Sequence, residues 1–249
     1  MISLKNISKK HGHKTTLVNV NTTIEQGDFI VIVGPNGAGK TTLFDLIAGT
    51  QVSTAGRITL DNKDITTTNE HVRAHWMGRL LQNPEHNTVD TMTVAQNLAL
   101  ALFAKKSASL ADALKIVTPA VIDDIQKNYG IDLKPLLQTP MKSLSGGQRQ
   151  LIAFIMATIT NPRLLLLDEP TAALDPQAAT TLLSCAYRFM QQHHMTALLI
   201  THDPQIALTL GNKLWLVKDG TVTVFDEQTK KALKPQDLIG SIDYANIVT

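Results

Sequence analysis

Apolar and polar positions alternate along ISLKNIS (2–8) and again along TTLVNVNTTI (15–24), the period of half-buried strands. A turn at Gly27–Asp28 leads into FIVIVG (29–34). That run is continuously apolar and largely β-branched, which predicts a strand buried on both faces in a parallel sheet. GPNGAGKTTLFDLIAG (34–49) predicts a loop and then a helix ending at Gly49, and GRITLDNKDI (56–65) a short strand and turn. From about 90 to 143 the pattern becomes helical, in VAQNLALALFA and SLADALKIVTPAVIDDIQKNY, with breaks at Gly130, Pro135 and Pro140. This predicts a helical insert within a sheet domain. A helix is expected over about 147–160, a strand at RLLLLDEP (163–170), a helix over about 177–193 and a strand at TALLITHD (196–203). KLWLVKDGTVTVFD (213–226) predicts a hairpin turning at Asp219–Gly220, and the tail from 227 is expected on the surface.

Charge narrows the function classes. The 249 residues carry 23 basic and 21 acidic side chains, a net charge of +2. No dense basic run is present, which argues against a dedicated nucleic-acid binder. The one cysteine, Cys185, lies in the amphipathic stretch TTLLSCAYRFM and is expected to be a buried, inert thiol. The start, MISLKNISKKHG, lacks the apolar core of a secretory signal. The longest apolar stretches fall far short of the roughly 18 residues of a membrane span. A soluble, cytoplasmic chain is the expectation, with any membrane link made through a partner.

Three stretches carry candidate chemistry. GPNGAGKT (34–41) matches G-x-x-x-x-G-K-[ST] and lies between an expected strand and an expected helix. Glycines there let backbone N–H groups curl around phosphate oxygens, and the helix N-terminus adds unpaired donors. Lys40 can reach the β- and γ-phosphates, and the Thr41 hydroxyl can ligate Mg²⁺. LLLLDEP (164–170) places Asp168 and Glu169 at the end of a buried strand. Asp168 is a candidate partner of Mg²⁺, and Glu169 could polarise a water that attacks the γ-phosphate. LSGGQ (144–148) opens a helix with a hydroxyl and two glycines, so it is either a second anion site or a helix cap.

With these stretches in place the chain resembles the ATP-binding subunit of ABC transporters over roughly residues 2–225. GPNGAGKTT, Gln82 in RLLQNP, LSGGQ, LLLLDEP, AALD (172–175) and His202 in LLITHD follow in the family's order. The resemblance implies an α/β P-loop NTPase: a RecA-like core with an N-terminal antiparallel β subdomain and an inserted α-helical subdomain. The core would comprise 1–88 and 150–225, the helical subdomain 89–149 and a C-terminal tail 226–249. It implies that Gly34, Pro35, Asn36, Gly37, Ala38, Gly39, Lys40, Thr41 and Thr42 bind ATP, and that Thr41, Gln82 and Asp168 serve Mg²⁺. Glu169 would be the general base, with Gln82 and His202 at the γ-phosphate. Ser145, Gly146, Gly147 and Gln148 would bind ATP in trans, across a head-to-tail homodimer with Asp175 at its interface. In the family an aromatic residue near the N-terminus stacks on adenine. Here the matching stretch KKHGHK offers His11, either as that contact or as a surface loop residue. AALD replaces the commoner SALD, so Ala172 lacks a hydroxyl that could bridge subunits. Trp76 and Trp215 are expected to be packing residues.

The resemblance also implies partners. Integral membrane permease subunits would be separate chains, with Pro84 to Val94 as candidate contact surface and a separate solute-binding protein. The subunit would sit on the cytoplasmic side of the membrane, attached through the permease. EHVRAHWMGRLLQNP, FIMATITNPRLLLLDE and GNKLWLVKDGTV resemble ATPases of tryptophan/tyrosine-type uptake systems. ATPases of this type that act on ribosomes or DNA are the alternative. Those on ribosomes carry two such domains in one chain, and those on DNA carry a long coiled coil. A P-loop kinase would need neither LSGGQ nor the His202 motif.

Overall fold

The computed structural model describes residues 1–103 and 110–239, which fall into two compact units. Parts of the helical insert (104–109) and of the tail (240–249) lie outside the described residues. The first unit takes Met1–Met77, Leu166–Glu169 and the chain from Met195 onward. Its N-terminal part is an antiparallel sheet of strands β1 (Ile2–His11), β2 (Lys14–Ile24), β4 (Ala55–Leu60) and β5 (Lys63–Asp64), in the order β2-β1-β4-β5. The buried positions of the first two strands are Ile2, Leu4, Ile7, Leu17, Val20 and Ile24, so the expected alternation holds only in part: the pairing slips between Leu4 and Ile7, and Asn6 and Asn19 take left-handed backbone where the spacing widens to three.

The second sheet in this unit is centred on β3 (Phe29–Val33), whose five residues are all buried. It lies parallel to β8 (Ala197–Ile200) on one side and to β9 (Lys213–Lys218) on the other. β10 (Thr221–Phe225) pairs antiparallel with β9, the expected hairpin. Leu166–Asp168, the end of β7 (Leu164–Asp168), follows β8 in the sheet order. The unit's helices are α1 (Lys40–Ala48), α2 (Glu70–Arg73), α8 (Pro204–Thr209), α9 (Glu227–Ala232) and α10 (Pro235–Ile239). The tail is less superficial than expected, because Lys230 and Leu238 are buried. The Lys230 ammonium donates to the Leu210 and Gly211 carbonyls, and burial pushes its pKa down to about 8.

The second unit takes Gly78–Leu165 and Pro170–His194. It holds α3 (Val94–Phe103), α4 (Leu110–Leu114), α5 (Pro119–Tyr129), α6 (Gly146–Thr158) and α7 (Pro176–Gln192). It also holds most of β6 (Met77–Leu80), a strand the sequence pattern does not announce. An aromatic cluster ties three of these helices together. Tyr129 stacks on Phe189 at 4.5 Å, and Phe154 meets both edge-on at 6.1 and 6.0 Å. The Tyr129 hydroxyl lies 2.9 Å from Thr158 Oγ1, and the buried Cys185 thiol donates to the Tyr129 carbonyl at 3.3 Å. Burial raises the thiol's pKa, which keeps it protonated and inert as expected. Trp215 is fully buried, a packing residue, and Trp76 is half-buried.

One buried cation fixes the far end of α1. Arg73 has no exposed surface, and its guanidinium donates to the carbonyls of Leu46 (2.8 Å), Ile47 (2.7 Å), Thr68 (2.9 Å) and Ile65. The first two are terminal carbonyls of α1, where the helix dipole favours a cation. Burial lowers the Arg73 pKa to about 10, so it stays charged at neutral pH. Replacing it with methionine fills the volume but leaves several carbonyls unpaired. Arg73→Met is expected to lower unfolding free energy by about 3 kcal/mol, measured by urea denaturation at pH 7. An unchanged midpoint would refute this role.

Candidate functional site

The phosphate-type loop leaves a strand that cannot shift. After Val33 the chain passes through Gly34 at φ 152°, where a Cβ would lie 2.0 Å from the Val217 carbonyl oxygen. No side chain fits that approach. Gly39 then caps α1 at φ 109°, with no side chain of its own to make a cap bond. A helix start that follows a glycine-rich loop in this way is the kind of place where backbone N–H groups hold anions. Asn36, Gly37 and Thr41 are exposed at the loop surface, and Thr42 is half-buried. Lys40 is buried, and its ammonium donates to the carbonyls of Gly34 (2.7 Å) and Pro35 (3.1 Å). The charge is thus held over the loop by the loop's own backbone.

The second group of candidates in this unit stands at the end of β7. Glu169 takes φ 46°, in the left-handed region, directly before Pro170. Carboxylate side chains rarely sit there, and a following proline pushes the residue toward extended backbone, so the turn stores about 1–3 kcal/mol of strain. Part of what holds it is the Glu169 N–H, which donates to the Ile200 carbonyl at 3.2 Å. The strain aims the side chain. Glu169 Oε1 lies 2.6 Å from His202 Nε2, and both side chains are about one-fifth exposed. A histidine nitrogen that donates to a carboxylate orients it and leaves its other oxygen for a water.

Asp168 and Thr41 supply the hard oxygen donors that suit Mg²⁺, an ion that keeps several waters and binds through few protein groups plus phosphates. Among the described residues no cluster of three or more His, Cys, Asp or Glu could hold a metal alone. The donor set fits an ion carried with a nucleotide rather than a protein-only cage. His11 lies exposed at the turn end of β1, paired with Lys14.

The second unit brings its own candidates into view. Gln82 is exposed, and the carbonyl just before it, that of Leu81, accepts from Asn87 Nδ2 at 3.0 Å. Ser145 is the N-cap of α6. Its Oγ accepts from the Gln148 N–H at 3.2 Å, and Gln148 Oε1 accepts from the Ser145 N–H at 3.1 Å. This capping box makes LSGGQ a helix cap, and a hydroxyl that only accepts still has its own proton to donate outward. A Cβ on Gly146 would make only an ordinary contact, 3.8 Å from Leu174 Cδ2, whereas one on Gly147 would come 2.5 Å from the Ala178 Cβ. Gly147 is therefore also a packing glycine that lets α6 approach α7. Asp175 caps α7, accepting from the N–H groups of Gln177 (3.1 Å) and Ala178 (2.9 Å). A cavity of about 280 Å³ is lined by Ser145, Gly147, Gln148, Asp175 and neighbouring α7 residues.

Two residues beside LSGGQ were not singled out by the sequence. Arg149 pairs with Asp90 (3.2 Å) and more loosely with Glu85 (3.7 Å). Gln150 is buried, and its amide donates to main-chain carbonyls. Both look like ordinary polar positions on a helix, and only the fold shows what they touch.

A family model described as ABC transporter matches residues 17–172. The chain belongs to the ABC transporter family. It is 34% identical to the tyrosine transport ATP-binding protein of Clostridioides difficile, over 98% of this chain and all of that protein. It is also 34% identical to a sulfate/thiosulfate import ATP-binding protein of Chromobacterium violaceum, over 89% of this chain but 60% of that longer protein. Among solved structures, a dimeric ATP-binding cassette in a post-hydrolysis state with ADP and Pi superposes with a TM-score of 0.74 at 27% identity, covering 91% of this chain and 99% of that one. The protein is thus an ABC ATP-binding subunit with the expected α/β P-loop fold, a nucleotide-binding ATPase coupled to transport. The import relatives favour uptake over an ATPase acting on ribosomes or DNA.

The two glycines of this ABC subunit's LSGGQ separate by experiment. Gly147→Val is expected to cost about 1–3 kcal/mol of stability by forcing α6 from α7. Gly146→Ala is expected to leave stability within about 0.5 kcal/mol. Equal losses in thermal unfolding would contradict the packing assigned to Gly147.

Proposed function

We propose that two copies of this chain close head to tail on ATP, and that closure and hydrolysis drive a separate membrane permease. In this proposal, Lys40 and the backbone of residues 34–42 bind the phosphates of one nucleotide. Ser145, Gly146, Gly147 and Gln148 of the second copy cover it, with Asp175 at the interface. The exposed Ser145 hydroxyl, whose oxygen is already used as a cap, donates its proton to the γ-phosphate. Thr41, Gln82 and Asp168 would hold Mg²⁺, which would supply positive charge against that developing on the phosphate. Glu169 takes the proton of the attacking water, and His202 keeps the carboxylate oriented while reaching the γ-phosphate. His11 lies against the adenine.

The observation that carries this reading is the Glu169–His202 contact at 2.6 Å on a strained backbone, an oriented carboxylate in the unit that also holds the phosphate-type loop. The dimeric cassette with ADP and Pi supports the pairing of two copies. The tyrosine transport relative, matched over its full length, supports an aromatic amino acid as solute, and in this proposal a separate binding protein delivers it. No helix among the described residues is long and apolar enough to cross a membrane, which fits attachment through permease subunits on the cytoplasmic side. Residues 84–94 supply the permease contact. Their link to LSGGQ is the Arg149–Asp90 pair, which would carry a permease movement to the nucleotide.

Glu169→Gln is expected to bind ATP with near-normal affinity while turnover falls about 10²–10⁴-fold, the worth of a positioned general base. Phosphate release and equilibrium binding of a fluorescent ATP analogue measure the two separately. Turnover near the wild-type rate would remove Glu169 from the base role.

A further inference from the structure

We propose that Gln150 is a positioning residue for hydrolysis, clamping the backbone next to both Gln82 and Glu169. The inference rests on the assignment of Glu169 as base. Gln150 is 1% exposed, and its side chain is spent on main chain. Nε2 donates to the Leu81 carbonyl at 3.1 Å and to the Pro170 carbonyl at 3.2 Å. An amide nitrogen has two hydrogens, and two carbonyls take them, which fixes the orientation of the group. One acceptor immediately precedes Gln82 and the other immediately follows Glu169. Three residues far apart in sequence are thus joined at one buried nitrogen.

Each end of the clamp falls where the backbone needs holding. The Leu81 carbonyl also accepts from Asn87 Nδ2 at 3.0 Å, while the Leu81 N–H donates to Asn87 Oδ1 at 2.9 Å. Both lone pairs of that carbonyl are therefore used, and the main chain entering exposed Gln82 is tied. At the other end, Pro170 follows the left-handed Glu169. A strained turn persists only where its surroundings over-determine it, and the Gln150 bond is one of those determinants. Gln150 Oε1 is buried and has no hydrogen-bond partner among the described residues. A side chain kept only for packing would be apolar there. Its retention with one end unpaired marks the nitrogen end as the part that matters.

Gln150 also sits two residues beyond Gln148 on α6, beside Arg149 and its pair with Asp90. When a second copy engages LSGGQ, a small turn of α6 would move the Leu81 and Pro170 carbonyls together. Gln150 thereby lets closure of the dimer set Gln82 and Glu169 at once.

The test is a double-mutant cycle on the full-length chain, assayed well below the unfolding temperature of each variant. Gln150→Met keeps the volume and removes both donors. It is expected to lower kcat on the order of 10–100-fold with KM for ATP within about two-fold, as a misplaced base does. In a Glu169→Gln background the same change should cost less than about two-fold further, because the group it positions is already gone. Should the methionine variant not fold, Gln150→Asn serves, since its amide stops one carbon short of the carbonyls. Full effects that multiply in the double variant, or a wild-type kcat for Gln150→Met, overturn the proposal. If Glu169→Gln itself turns over normally, the base assignment fails first and this failure is told apart from that of the clamp.

Discussion

Backbone N–H groups can hold a triphosphate only if the strand that presents them cannot move, and the rest of this molecule follows from that constraint. β3 is buried on both faces between two parallel strands, so the loop after Val33 starts from a fixed point. Gly34 meets the Val217 carbonyl too closely for any side chain. Arg73 fixes the opposite end of α1 through the carbonyls of Leu46 and Ile47. Loop and helix are therefore pinned at both ends, and the backbone between them keeps its aim without spending ligand binding energy on ordering.

Chemistry is added at the end of another buried strand. The four leucines of β7 are apolar through their full length, and the polarity begins at Asp168 and Glu169. The left-handed turn at Glu169 is a local cost borne by the surrounding hydrogen bonds, and it aims the carboxylate at His202. As the proposed base, a carboxylate so placed would gain its effect from orientation, since the reacting proton must be within hydrogen-bond reach in the bound state. The second unit contributes a different kind of part, a capped helix start at Ser145 with room for a small side chain at Gly146. In the proposed arrangement one chain offers a loop to grip an anion and a helix start to cover one. Two copies arranged head to tail would complete both.

Much of this was legible in the sequence where a residue's type is dictated by what it does to the backbone. The β3 run, the glycines of the loop and the hairpin at Asp219–Gly220 each declare their conformation. The order of the motifs declares the family. β6 was not legible, because MGRL is too short and mixed to show a period. Gln150 and Arg73 were not legible either. Each is a polar residue whose partners are main-chain carbonyls distant in sequence, and no pattern of residue types records where a carbonyl will point. Gly147 was legible as part of a helix start, but its contact with Ala178 depends on how α6 meets α7. His11 offers a ring of modest area in an exposed turn, so residue type alone leaves its partner open.

The central claim is that each nucleotide is completed by LSGGQ of a second copy, and complementation between two inactive variants tests it most directly. Lys40→Ala removes the phosphate grip, and Ser145→Arg blocks the covering helix. Neither variant alone can assemble a complete site. A mixed pair holds one site with an intact loop from one copy and an intact LSGGQ from the other. ATP turnover of the mixture is expected to rise well above that of either protein alone and to be greatest near equal amounts. A mixture no more active than the sum of its parts would show that loop and LSGGQ must lie in the same chain, and would contradict the account.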